Sequence, residues 1–556
     1  MKTRNKTAFI IEKGVTILFA LIVVYLLALT TFTTATMDIY ERTTLLAEHT
    51  IEKVLAMVAF SAGAVGIGCF LRTENRKKRL SDSWMDRAHT LLLATLGLFA
   101  MLFVLAAQKT PNVDQYRVIN AASKWRNHDY SDFSNIPIAA GGGYLNLFPH
   151  QCGIVLIYYF LSFLLGQNNY VALQLLNPIF QVLLAKIMGD LTVEMTGDKK
   201  TSIFVDLAFL AFLPLTLFGT FVYGNLEGLT LSMAALAQAV KLRRDGRIIR
   251  ILRCALCMLA ALFFKENCLI FGIALAVYLG ISFLRSRERK LLVAMGVVIC
   301  ILGFQGTAVR GMTRLITGQE TGKGTSMWSY VQMRLMENDI LYDGWWNQYN
   351  QDTFEETGFD STAQEIRVKQ DLTVRVDELK RNPQKALRFF AGKNASQWAN
   401  PDFGSVWKNE TMEPLTEKAD SAGWVYWLIS LESRAPFRIF MGAVQTAVLF
   451  GVLLSLLLSG SGRGFDFFLK TAFVGGFLFH TVWEAKGQYI LSYFVLLLPL
   501  AVQGYALLAG LAGASEVPKT KRSCLIAGLG CFAFLLLLIQ FGNIALLQEL
   551  FKPWQR

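Results

Sequence analysis

The stretch Ala88-His-Thr-Leu-Leu-Leu-Ala-Thr-Leu-Gly-Leu-Phe-Ala-Met-Leu-Phe-Val-Leu-Ala-Ala-Gln108, followed at once by Lys109-Thr-Pro-Asn-Val-Asp114-Gln-Tyr-Arg117, decides how this chain is read. About twenty residues, nearly all apolar, are what a helix needs to cross a bilayer core. Pro111 stiffens the chain after that run, and an acid follows three residues later. A carboxylate just beyond a membrane-spanning helix sits at the water boundary, ionised and within reach of a lipid headgroup.

Similar apolar runs recur on both sides of this one. Candidate spans are 14–36, 54–71, 88–107, 170–192, 202–222, 226–242, 249–263, 267–284, 291–309, 436–459, 466–481, 488–511 and 522–548. The expectation is an all-α polytopic membrane protein with about 13 transmembrane helices, in keeping with 53% hydrophobic and only 17% charged residues. The N-terminal run reads as a retained first span, too long for a signal-peptide core and without a small-residue cleavage site. The net charge of +13 does not indicate nucleic acid, because the lysines and arginines stand in short blocks between apolar runs. Seven of the eight cysteines fall in or beside apolar runs, so no disulfide framework is expected, and Cys254-Ala-Leu-Cys257 reads as helix packing.

The basic blocks set the sidedness. Lys2 to Lys13, Arg72 to Arg79, Lys199-Lys200, Lys241 to Arg250, Arg285 to Lys290 and Lys519 to Arg522 should be cytoplasmic, which puts Asp114 on the external face. Segment 151–166 breaks the alternation if it crosses, so it is expected to lie along the outer leaflet, within a first external loop of 108–169. The chain then divides into 1–87 (an N-terminal hairpin and basic loop), 88–309 (the core), 310–436 (a large, mostly helical external segment) and 437–556 (C-terminal spans). The 310–436 segment is rich in Trp and Tyr, and an amphipathic helix around Glu365 to Phe390 could cap a site. Asn394-Ala-Ser396 and Asn409-Glu-Thr411 match the glycosylation pattern, which is common by chance. Gly141-Gly-Gly-Tyr144 lacks the strand and Lys-Ser/Thr of a phosphate loop and reads as a turn.

With sidedness assigned, the polar residues left at external span ends form one set: Asp114, Gln115 and Arg117; His150 and Gln151; Asn225 and Glu227; Lys265, Glu266 and Asn267; and Glu484, Lys486 and Tyr489. Asp114 is the candidate general base, able to accept a proton from a hydroxyl as that hydroxyl attacks a sugar carbon. An anionic lipid phosphate leaving in such a reaction needs cations, and Lys265, Lys486 and Arg117 are the candidates. Gln115, His150, Gln151, Glu227, Glu266, Glu484 and Tyr489 are supporting or substrate-binding candidates.

Asp114-Gln115 with Ile119 and Ala121, Pro149-His150-Gln151 with Gly153, Tyr223 with Glu227, Lys265 with Asn267, and Glu484, Lys486 and Tyr489 ahead of Pro499 together resemble the bacterial GT-C-fold glycosyltransferases. The similarity is to integral-membrane transferases of the protein mannosyltransferase and aminoarabinose transferase type, over about residues 88 to 510. That resemblance implies a GT-C-like core, a sugar donor carried on a polyprenyl phosphate, and an essential acid in the first large external loop, here Asp114. The acceptor would be a cell-envelope glycan, lipid or protein, in a bacterial cell membrane. Relatives often carry two adjacent acids where this chain has Asp114-Gln115, which leaves a second acid open among Asp129, Asp132 and Glu227. No cluster of oxygen ligands stands near Asp114, so neither a metal nor another cofactor is expected. The alternatives are a lipid-linked saccharide flippase or transporter, and a glycan polymerase or ligase. A flippase would favour charges near the bilayer midplane; Asp206 and Lys186 could be quoted for it, but they lie close to predicted cytoplasmic ends, and it has no need of the large external segments.

Overall fold

The computed structural model describes residues 6–47, 50–76, 81–416, 423–430, 434–459, 464–512 and 519–541. Lys2, Lys77 to Arg79 and the end of the last apolar run, all used above, lie outside the described residues. Helices of ten or more residues are numbered here in chain order. The first half holds α1 (Lys6–Phe32), α2 (Thr50–Arg76), α3 (Asp82–Ala107), α4 (Val113–Arg126), α5 (Cys152–Leu165), α6 (Leu176–Thr196), α7 (Lys200–Ala211), α8 (Asn225–Asp245) and α9 (Ile249–Phe264). The second half holds α10 (Leu269–Ser286), α11 (Arg289–Thr317), α12 (Ser361–Arg381), α13 (Pro383–Trp398), α14 (Arg434–Leu458), α15 (Asp466–Val482), α16 (Leu497–Ala512) and α17 (Lys519–Phe541).

Eight helical segments are long and apolar enough to cross a membrane, and the number rises to ten if two bent pairs each count as one span. This is a multi-pass, all-α membrane protein in its main architecture. The bent pairs are α7 with Pro214–Thr220, at 56°, and Gly487–Val495 with α16, at 44°. Pro214 stands at the first break, where its missing N–H and ring disfavour a continuous helix. Three further expected spans form helices that fall short of that length and apolarity. α9 has 16 residues and α15 has 17, while α8 carries Glu227 at one end and Arg243, Arg244 and Asp245 at the other.

The basic blocks collect at one end of the bundle. There Lys199 pairs with Asp82 (3.3 Å), Arg244 with Glu194 (3.2 Å), and Arg285 with Glu12. The C-terminal ends of α1, α3, α9, α11 and α15 and the N-terminal ends of α2, α6, α8 and α10 stand at the other end, together with all the long polar segments. α5 has 14 residues, about 21 Å of helix against a hydrocarbon core of about 30 Å. It packs alongside α4 with the C-terminal turns of the two helices together, the Arg126 guanidinium donating to the Ser162 carbonyl (2.6 Å).

One feature of this polar end is not helical. Thr34–Met37 and Thr43–Leu46 pair as an antiparallel hairpin in the register Thr34 to Leu46. The run of threonines at 33, 34, 36, 43 and 44 suits a strand better than a helix. Lys53 at the start of α2 is buried and donates to the Thr30 and Thr33 carbonyls (3.0 and 3.3 Å), which caps the end of α1 and fixes where the hairpin begins. The Ala35 amide donates to the Ala399 carbonyl (2.9 Å) and the Thr43 amide to that of Leu341 (3.2 Å), so the hairpin is stitched into the 310–436 segment.

Within that segment the helix expected near Glu365 to Phe390 is two helices. Asn382 caps α13 by accepting from the Lys385 amide (3.0 Å), and Pro383 occupies the first turn where no N–H is needed. Both glycosylation-like asparagines are buried, Asn409 at 1% exposure with its amide donating to two carbonyls, so neither is an accessible acceptor.

Candidate functional site

The site is built where irregular backbone is held among helices. After α3 the chain pairs with a second segment: the Thr110 amide donates to the Glu413 carbonyl and the Leu415 amide to that of Gln108, both at 2.7 Å. Val113 then takes φ 48° before α4 begins. Left-handed backbone costs an L-residue about 1–2 kcal/mol, and a β-branched one is an outlier there. That strained residue directly precedes Asp114, and backbone strain of this kind collects at functional sites.

The second irregular stretch, 217–224, lies between α7 and α8, deep in the bundle end. Its carbonyls and amides are met by side chains. Asn177 donates to Gly219 and Phe221 (3.0 and 3.1 Å), Gln174 to Thr220 (3.1 Å), and Asn409 to Leu217 (2.7 Å), while Gln115 accepts from the Val222 amide (2.8 Å). Non-helical backbone at such depth needs this kind of satisfaction. Gly224 (φ 76°) closes the stretch, where a Cβ would come within 2.3 Å of the Phe264 carbonyl oxygen.

These two stretches bring Asp114 between two tyrosines. The Tyr144 and Tyr223 hydroxyls donate to its two carboxylate oxygens, each at 3.4 Å. Such long bonds orient the carboxylate without saturating it, so lone pairs stay available. Gln151 donates to the Tyr223 hydroxyl oxygen (2.7 Å) and contacts His150 Nε2 (3.1 Å), and the Arg117 guanidinium lies 5.6 Å from the Tyr144 ring centre. Tyr144 is set by the glycine turn before it: at Gly143 (φ 69°) a Cβ would lie 2.1 Å from the Ile136 oxygen.

Two lysines face this centre without a counter-ion. Lys265, the residue after α9, holds Nζ 3.5 Å from the Tyr223 ring centre and 5.9 Å from that of Tyr489. Lys408 is 6% exposed, with Nζ 5.4 Å from the Phe221 ring and 5.2 Å from the Trp407 ring. Neither ammonium has a hydrogen-bond or ion-pair partner among the described residues. Burial pushes Lys265 down to about 7 while Asp114, Glu484 and Glu227 favour its charge, and it pushes Lys408 down to about 8 against Asp114. Cation–π contact returns about 0.5–2 kcal/mol, whereas burying an unpaired charge costs several. The arrangement is unfavourable for stability alone and suits an anion that arrives from outside.

A third group stands beside them. Arg334 is 3% exposed and pairs with Glu484 at 2.7 Å, while its Nε and Nη1 have no partner among the described residues. Burial raises the Glu484 carboxyl; Arg334 opposes that, and the charge of Asp114 adds to it. Tyr330 stacks on Trp483 (5.3 Å), with the His150 ring at its other side (6.4 Å). A small, mainly apolar cavity of about 20 Å³ adjoins Phe221, lined also by Leu215, Phe218, Leu226, Leu229 and Leu491.

The structure therefore brings together Asp114, Arg117, His150, Gln151, Lys265, Glu484 and Tyr489. Gln115 is near but is spent on backbone, and Glu227 is 1% exposed with Oε2 unpartnered, one turn into α8. Glu266 is exposed and accepts from Gln305 on α11 (3.4 Å). The Lys486 ammonium is already matched, in an ion pair with Glu41 of the hairpin turn. Of the acids considered as partners of Asp114, Asp132 is paired with Lys124 (3.1 Å) and Asp129 accepts from the Ser131 amide (2.9 Å) in its own loop. Glu484 is the acid whose charge couples to Asp114. Tyr144, Lys408 and Arg334 were not anticipated; the one cue was a Trp-Lys pair after a Gly in a segment expected to be external. Among the described residues no three His, Cys, Asp or Glu side chains are grouped to hold a metal ion. No protein-family model matches the chain, and no curated protein matches it.

Proposed function

We propose that this protein is a membrane glycosyltransferase that moves a sugar from a polyprenyl-phosphate donor to a cell-envelope acceptor on the external face of a bacterial membrane. One observation carries the reading: a single carboxylate, oriented by two tyrosines, faces two ammoniums that lack counter-ions. Asp114 takes the proton of the acceptor hydroxyl as that oxygen bonds to the anomeric carbon, and the bond to the lipid phosphate breaks on the opposite side. Lys265 and Lys408 hold the phosphate charge as it develops, with Arg117 at the rim. One base and no enzyme nucleophile give inversion at that carbon. Thirteen crossings, with α5 resting on the outer leaflet and the basic end inside, complete a GT-C-like arrangement.

A second reading rests on a different observation. Inside the bundle, near its basic end, His89 Nδ1 lies 2.6 Å from Asp206 Oδ2, and His89 Nε2 and Asp206 Oδ1 are both buried without partners among the described residues. Ionisable pairs at such depth mark proton or ion paths in carriers, which keeps a lipid-linked saccharide flippase in view.

One assay tests both. The purified chain is given a radiolabelled polyprenyl-phosphate sugar in detergent and in sealed vesicles. A transferase yields labelled acceptor, and Asp114→Asn, made in normal amount, lowers the rate by about 10²–10⁴. Wild-type rates in that variant sink the mechanism, and label that crosses the vesicle wall without bond change favours the flippase.

A further inference from the structure

Lys486 differs from Lys265 and Lys408 in one respect: the chain supplies its counter-ion. Glu41, whose carboxylate meets the Lys486 ammonium, sits at the tip of the 34–46 hairpin with φ 67°. Such a backbone is unfavourable for Glu, and the turn is locked by another side chain. Asp38 accepts from the Tyr40 and Arg42 amides (2.9 and 3.0 Å) and from Arg42 Nε (2.8 Å). The hairpin does not behave as a loose strap, since both its strands are bonded to the 310–436 segment and Trp407 Nε1 donates to the Ile39 carbonyl (3.4 Å). Glu41 is thus a fixed part of the wall.

Its position bears on the anion site through Trp407. That ring lies 4.9 Å from the Lys486 ammonium and 5.2 Å from the Lys408 ammonium. Through that ring the Lys486 ammonium lies no more than about 10 Å from that of Lys408, so the site has two cations without a counter-ion and, near them, a third that Glu41 cancels. A lone phosphate is served by the first two. A diphosphate extends its charge by one more phosphoryl group and gains from a third cation.

We propose that Glu41 is a specificity-determining residue, which neutralises Lys486 so that the site accepts a ligand with one phosphate and discriminates against a diphosphate. This rests on the reading that Lys265 and Lys408 hold a phosphate, though not on any transfer reaction.

The test uses the full chain in detergent, below pH about 7 so that the lysines are charged, with inorganic phosphate and inorganic pyrophosphate titrated by calorimetry. Glu41→Gln is expected to bind pyrophosphate about tenfold tighter than wild type, as befits freeing one close cation, with phosphate affinity nearly unchanged. Glu41→Gln/Lys486→Gln should lose that gain. Lys486→Gln alone leaves Glu41 uncompensated and should weaken pyrophosphate more than phosphate, which gives a reading even if Glu41→Gln does not fold. Thermal melts confirm that each variant is folded. Unchanged pyrophosphate affinity in Glu41→Gln, a gain that survives in the double variant, or no binding of either anion to Glu41→Gln overturns the proposal. If Asp114→Asn abolishes transfer while the anion ratio stays put, only the role of Glu41 falls. If the ratio shifts and no transfer is found, only the reaction falls.

Discussion

At the scale of single residues, the two ammoniums beside Asp114 give the site a pH signature. Lys265 stands at about 7 and Lys408 at about 8, both lowered from 10.5 by burial. As pH rises through these values the free protein loses the charge that attracts a phosphate, so kcat/KM should fall on the alkaline side. Stability moves the other way. Between the lowered values and 10.5 the unfolded chain binds more protons than the folded one, so unfolding free energy rises with pH across that window. Lys265→Arg keeps its charge throughout, and the alkaline limb of kcat/KM should then start near 8, set by Lys408 alone. Profiles of kcat/KM and of melting temperature against pH, recorded for both proteins, check this. A limb that stays at 7 in Lys265→Arg would show that Lys265 is not the titrating group.

At the scale of elements, the long apolar helices were legible, three of the expected spans form shorter or more polar helices, and the two breaks were not anticipated. Apolar length and charge gaps announce a crossing such as α3 without reference to anything else in the chain. The stretch beyond the bend depends on partners far away in sequence: Gln115, Asn177 and Asn409 supply bonds that hold 217–222 in place, and each looks ordinary in its own surroundings. Asp114, Lys265 and Glu484 were found because a charge at the end of an apolar run is conspicuous. Lys408 lies in a polar segment where a lysine is unremarkable until folding buries it. The hairpin was hidden for a related reason, because its threonines follow directly on the apolar run of α1. Asn177→Leu tests how much the broken element depends on its braces. It removes the amide that donates to the buried Gly219 and Phe221 carbonyls and should cost about 2–4 kcal/mol, read as a lower midpoint of chemical unfolding in detergent. A cost below about 0.5 kcal/mol, within the range of ordinary surface substitutions, would mean that water replaces the amide freely.

At the scale of the whole molecule, the proposed function depends on which end faces the cytoplasm. The ion pairs Lys199–Asp82, Arg244–Glu194 and Arg285–Glu12 gather residues from five helices and the turn before α7 at one end, and the Asp114 site with the hairpin stands at the other. Lysine and arginine are retained on the cytoplasmic side during insertion, so the basic end is expected to face the cytoplasm. The two ends offer well-exposed positions for a direct test: Tyr40 at the hairpin tip, 68% exposed, and Ile248 between α8 and α9, 77% exposed. All eight native cysteines are free thiols, and their replacement by serine leaves a background on which single cysteines can be read. In intact cells a membrane-impermeant maleimide should label Tyr40→Cys at once and reach Ile248→Cys only after permeabilisation. The opposite pattern would place Asp114, Lys265 and Lys408 in the cytoplasm, where a donor presented at the outer leaflet could not meet them, and external transfer would have to be abandoned.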